Sequence, residues 1–188
     1  RDLCLPTPMK HWHVIPHARP TLALSERAAA RKQLGWSPDA LYVLGIGRLV
    51  PLKRFPMLID ACTALPGEVR LVLLGDGDCE SLRQHAEKAG LRHPVEFAFT
   101  DDVGPYLSAA DIYVSPSSTE AFGLANLEAL TAGIATICTA VGGVPEVMGE
   151  AGWLIPGEVN ALRRALVILA ADAGLGPQPA RLARHGVR

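Results

Sequence analysis

Six short apolar stretches, separated by segments of helical composition, constrain this chain more than any other feature. Leu41–Gly47 (LYVLGIG), Val69–Gly75 (VRLVLLG), Val95–Phe99, a stretch within Asp111–Pro116 (DIYVSP), Ile134–Thr139 (IATICT) and Gly152–Pro156 (GWLIP) read as strands. Each is bounded by turn residues and is too continuously apolar to leave one face in water. Helices are expected between them. A polar one, SERAAARKQLG, takes Ser25 as N-cap and Gly35 just past its end. Phe55–Leu65 is amphipathic, Cys79–Gly90 follows an Asp78 cap, and Val103–Ala110 is short. The fifth begins near Ala121, and EVNALRRALVILAADAG is the last. Strands alternating with helices predict a parallel sheet of about six strands covered on both faces. Right-handed crossovers make it a doubly wound, Rossmann-like α/β domain. Ligands of such sheets bind beyond the carboxyl ends of the strands, here the loops after Gly45, Leu74, Val114 and Thr139.

The 188 residues suit one such domain with short extensions: a Pro- and His-rich incoming linker over 1–24, the domain over 25–171 and a tail over 172–188. A formal charge of −1 without a basic block argues against nucleic acid as a partner. Cys4, Cys62, Cys79 and Cys138 are scattered without a C-x-x-C, so neither a disulfide framework nor a zinc site is expected. That usage fits a reducing cytoplasm. No apolar run approaches the roughly 20 residues of a membrane span. The chain begins at Arg1 rather than Met, which reads as a fragment or a processed product.

Glu120 and Glu128 stand eight residues apart in EAFGLANLE, with no charge between them. The helix they bracket is apolar almost all round and is expected to be buried. An ionised carboxylate there is costly without hydrogen-bond donors. A helix beginning near Ala121 offers free amides at Phe122, Gly123 and Leu124, a setting that attracts phosphate. Eight helical residues span about 12 Å. A molecule with hydroxyls at both ends and phosphates between them, such as a nucleotide sugar, matches that spacing. The plainer alternative has Glu120 favouring a helix N-terminus and Glu128 facing solvent.

Other loops add cations and glycines. The first strand ends GIGRLVPLK, placing Arg48 and Lys53 beside the Gly45–Gly47 turn. Val50 stands where a dinucleotide fingerprint needs its third glycine, which disfavours a nicotinamide dehydrogenase. Two cations beside a glycine turn suit a diphosphate, Arg as a fork and Lys as a point charge; taken singly, either reads equally as a surface charge. Gly75 and Gly77 in LLGDGD read as a tight turn. Gly142 and Gly143, in GGVPE, form a second phosphate or sugar cradle; Glu146 there either contacts a hydroxyl or favours a helix start. His11, His13 and His17 lack a helix or hairpin to fix them as a metal site. Adjacent Asp101 and Asp102 read as solvated loop residues.

Taken in order, G-x-G-R-L-x-x-x-K, LLGDG, P-S-x-x-E-x-F-G-x-x-x-x-E and GGVPE resemble the C-terminal, donor-binding domain of retaining GT-B glycosyltransferases, the glycogen-synthase-like group. The resemblance runs from about Val14 to Ala171, with VIPHARP similar to the family's entering V-I-P-N-G-V-D. It implies that Arg48 and Lys53 hold the donor diphosphate, and that Glu120 meets sugar hydroxyls near the reacting carbon. These three form the catalytic set. It further implies donor contacts from Gly47, the amides of Phe122, Gly123 and Leu124, Gly142 and Gly143, with Glu128 on the ribose. No metal and no cofactor are implied, the nucleotide-diphosphate sugar being substrate.

Three departures stand out. Phe99 replaces a family glycine where the base pocket is lined, and His17 and Ala18 replace Asn and Gly. The acceptor-binding N-terminal domain is absent, so the chain is expected to bind donor without turning it over. Any membrane contact, at the inner face, would come through that missing half. Alternative functions are a non-catalytic nucleotide-sugar module and a GT-B-type nucleotide-sugar 2-epimerase.

Overall fold

A computed structural model describes residues 21–173. His11, His13, His17, Ala18, Cys4, most of the 1–24 linker and nearly all of the tail lie outside the described residues. Among the described residues there are six strands: β1 (Leu41–Ile46), β2 (Val69–Leu74), β3 (Glu96–Ala98), β4 (Ile112–Ser115), β5 (Ala135–Thr139) and β6 (Trp153–Ile155). Seven helices accompany them: α1 (Arg27–Leu34), α2 (Phe55–Cys62), α3 (Cys79–Ala89), α4 (Gly104–Ala109), α5 (Leu124–Ala132), α6 (Val144–Met148) and α7 (Val159–Ala173). All strand pairs are parallel, in the order β3-β2-β1-β4-β5-β6. The expected doubly wound α/β domain is therefore the observed one.

Helices cover both faces, as near-continuous apolar strands require. α2 packs on α3 and α7 on one side; α1, α4, α5 and α6 pack in succession on the other. Phe55, Leu58, Leu73 and Leu162 belong to the first core, Tyr42, Leu44, Tyr113 and Met148 to the second. Charge also binds the second layer. Asp111, buried at the start of β4, accepts from Arg31 Nη2 at 2.7 Å and from the Tyr42 amide at 2.8 Å, and pairs with Arg27.

Winding reverses between β1 and β4, and in such sheets the crevice outside that switch point is where ligands bind. Two glycine turns shape one wall. The Gly47 amide donates to Leu74 O at 2.8 Å and the Leu49 amide to Asp76 O at 2.7 Å. A Cβ on Gly75 would come within 2.1 Å of Gly47 O, so that approach requires glycine. The turn reading of LLGDGD holds, and Asp78 caps α3 by accepting from the Ser81 amide at 2.9 Å.

Ser25 does not cap α1. The cap residue is Glu26, and the Ser25 amide donates to Ser108 Oγ at 3.1 Å, tying the segment to α4. Gly35 does close α1 in the left-handed conformation.

Candidate active site

The loops after β1 and β4 meet across the switch point. Pro51–Lys53 forms a 3-10 turn whose Leu52 carbonyl accepts from Ser118 N at 2.8 Å and Ser118 Oγ at 3.2 Å. Beside this seam Lys53 Nζ lies 2.5 Å from Glu120 Oε2, with both side chains mostly enclosed. The Lys53 stem runs over Gly47, where a Cβ would sit 3.1 Å from its Cε. Gly47, Lys53 and Glu120 thus come together as expected. Arg48 follows Gly47 on the same loop with its side chain exposed.

The β5–α6 loop supports Glu120 from beneath. Gly143 N donates to Glu120 O at 3.1 Å. A Cβ on Gly142 would fall 1.9 Å from Glu120 O, and one on Gly143 2.2 Å from Ala121 O. What the described structure shows of these glycines is backbone packing under the acidic loop. Further back, Thr139 Oγ1 donates to Ser117 O at 2.5 Å, and the Ser115 and Ser117 hydroxyls lie 3.4 Å apart. Glu146 is exposed in the first turn of α6.

α5 begins at Leu124, three residues later than expected, with Gly123 as its N-cap at φ 82°. The cause is tertiary. The Glu120 carbonyl, which would accept the first bond of a helix from Ala121, instead accepts from Gly143 N, and the Ser117 carbonyl further upstream is held by Thr139. Phe122 and Gly123 therefore precede the helix, and Leu124 and Ala125 head it, where amides have no partner inside the helix. The 12 Å estimate, which took the whole interval as helical, does not apply. Nor is α5 buried throughout: Asn126 and Ala129 are buried, while Leu124 is 50% exposed at the crevice end. Glu128, one turn on, is half-buried and finds no hydrogen-bond or ion-pair partner among the described residues. Burial pushes its carboxyl above the ordinary carboxylate value. A carboxylate kept in that state suits hydroxyl donors from outside the chain.

Sequence reasoning missed Tyr113 and Asn126, buried partners beneath this loop at 3.0 Å. The available signal was an amide inside an otherwise apolar helix. Phe99 lies just beyond β3 at 72% exposure, at the same edge of the sheet. Among the described residues no cluster of three His, Cys, Asp or Glu has metal-binding placement. Asp101 and Asp102 are exposed loop residues, as expected. A cavity of about 650 Å³ lies on the other side of the Pro51–Lys53 turn, lined by Leu49, Arg54, Phe55, Asp60 and Asp78. Its acids are already engaged, Asp60 by His85 at 2.7 Å and Asp78 by Ser81, and Arg54 Nη2 donates to Gly157 O at 3.0 Å.

The family model for glycosyl transferases group 1 matches residues 26–185. The lipopolysaccharide core biosynthesis glycosyltransferase LpsE of Rhizobium meliloti is 37% identical over 164 residues, 85% of this chain and 47% of that protein. D-inositol 3-phosphate glycosyltransferase of Streptomyces bingchenggensis is 36% identical over 168 residues, 79% of this chain and 37% of that protein. The chain thus spans less than half the length of these relatives. Among solved structures, WaaG, a glycosyltransferase of lipopolysaccharide biosynthesis, is 29% identical with a TM-score of 0.76, over 85% of this chain and 45% of WaaG. Anabaena HepE, solved with UDP and glucose, is 29% identical with a TM-score of 0.73, over 84% of this chain and 45% of HepE. The epimerase alternative finds no support among these relatives.

Proposed function

The chain belongs to the glycosyl transferases group 1 family, as the C-terminal part of a GT-B fold, and from that premise we propose that it is the donor-binding part of a retaining, metal-independent glycosyltransferase. Residues 25–171 are the nucleotide-sugar domain in this reading. The acceptor, a glycan or glycolipid, is held by a separate N-terminal domain, and this chain alone binds donor without transfer. The parent works in the cytoplasm, and any membrane contact lies on its other half. No helix among the described residues is long and apolar enough to cross a membrane.

The observation that carries the reading is the Lys53–Glu120 contact across the switch point, with the unpartnered Glu128 nearby on α5. Cleavage of the sugar–oxygen bond leaves negative charge on the diphosphate. Fixed positive charge where it gathers lowers the barrier. Lys53 and the exposed Arg48 supply that charge in this reading. The amides at the start of α5, Leu124 foremost, add the helix dipole. Phe122, Gly123, Gly142 and Gly143 line the approach, Glu120 takes sugar hydroxyls, and Glu128 takes the ribose. With cations and amides in these roles the chemistry needs no metal.

UDP-glucose is the first probe, because Anabaena HepE was solved with it. Ligand-observed NMR of this chain with UDP-, GDP- and ADP-sugars tests the reading. Saturation transfer to one of them, displaced by its nucleoside diphosphate, is expected. Transfer to none would overturn it.

A further inference from the structure

A buried amide approaches the Glu120 loop from below. Asn126 is 1% exposed, and its Oδ1 accepts from the hydroxyl of fully buried Tyr113 at 3.0 Å. Its Nδ2 is buried and has no hydrogen-bond partner among the described residues. That nitrogen crowds Gly123: a Cβ placed there would lie 2.5 Å from Nδ2 and 3.2 Å from Glu120 Cγ. The unused donor and the acidic side chain therefore flank the same side of one glycine. Buried donors without acceptors are costly and rare in native proteins, and those that persist call for a reason.

Lys53 supplies the reason. It holds Glu120 in the free chain. A diphosphate carries more charge than a carboxylate and draws the ammonium to itself. Glu120, 18% exposed at its side chain, is then left without a donor in a mostly enclosed place. We propose that Asn126 is a positioning residue that receives Glu120 when the donor takes Lys53. With Oδ1 accepting from the Tyr113 hydroxyl, Nδ2 is the end of the carboxamide that faces the loop. Nδ2 then holds the Glu120 carboxylate in the orientation that meets the sugar. This inference rests on the donor-binding reading above.

The double variant Tyr113→Phe/Asn126→Leu tests it. Replacing both polar partners by apolar groups of similar shape leaves stability nearly unchanged, which a melting curve checks. Calorimetry with UDP and with UDP-glucose is run on the unchanged chain and on the variant. The inference expects similar UDP affinity but a loss of about tenfold for UDP-glucose, the scale of one hydrogen bond to a charged group. A variant that keeps the parent's ratio of the two affinities would overturn it, leaving donor binding intact. An unchanged chain that binds neither ligand would overturn both. A second readout needs no variant: the Asn126 side-chain amide protons should shift downfield in the UDP-glucose complex, and unmoved signals contradict the handover.

Discussion

Lys53 and Glu120, 67 residues apart in the chain, meet at 2.5 Å where the winding of the sheet reverses. The pair closes a seam already sewn by Ser118 on Leu52, so the loops after β1 and β4 form one rim of the crevice. In the proposed reading this pairing holds the lysine ready for phosphate and the glutamate for sugar hydroxyls until a ligand arrives.

The first prediction concerns charge. Arg48→Ala with Lys53→Ala should weaken UDP by about 10–100-fold, the scale of two charge-assisted hydrogen bonds. Uridine affinity should hardly change. Calorimetry decides, and equal losses for both ligands would remove the diphosphate role. The melting temperature should fall, because Lys53→Ala leaves the mostly enclosed Glu120 carboxylate without its cation.

Glu128 sets a second test. Burial raises its carboxyl pKa above the unfolded value. The folded chain therefore holds the proton more tightly. That contribution to stability is full below the unfolded pKa and is lost as pH rises through the folded one. Glu128→Gln should melt no lower than the parent near pH 4, and higher at pH 7. The same variant should bind UDP and UDP-glucose less well, because ribose hydroxyls prefer an ionised acceptor. Melting curves and titrations over that pH range check both halves. Parent affinity should rise across the window where the carboxyl ionises, and unchanged UDP binding by Glu128→Gln would refute the ribose role.

The glycines beneath Glu120 predict a structural defect with a functional readout. Gly142→Ala or Gly143→Ala puts a methyl group into the Glu120 or Ala121 carbonyl, and Gly142 also has φ 54°. Each should destabilise the chain by about 1–3 kcal/mol and displace the acidic loop. Chemical denaturation measures the first effect. NMR shifts at Glu120 and Ser118 report the second, and a variant with parental stability and shifts would contradict the packing described.

The strands were legible because burial on both faces leaves continuous apolar runs, and the glycines past α1 and α3 marked true helix ends. Phe99 read as strand but lies just beyond β3, whose pairing to β2 stops at Ala98. The start of α5 was misplaced because Ala121 and Phe122 carry a helical pattern. The competing bond to the Glu120 carbonyl comes from Gly143, about twenty positions away, and periodicity cannot see it. Ser25 has the composition of a cap, yet its amide is drawn to Ser108, 83 residues on. At the site, motifs placed Lys53 and Glu120 in one crevice without showing that they touch. Tyr113 and Asn126 were invisible for a different reason: one reads as strand, the other as helix, and only the packed layer joins them.

The most direct measurement is a crystal structure of this chain with bound UDP-glucose. The account predicts the diphosphate against Lys53, Arg48 and the first amides of α5, the sugar at Glu120, and the ribose at Glu128. A ligand seated elsewhere, with Lys53 still paired to Glu120 and Glu128 open to water, would contradict it.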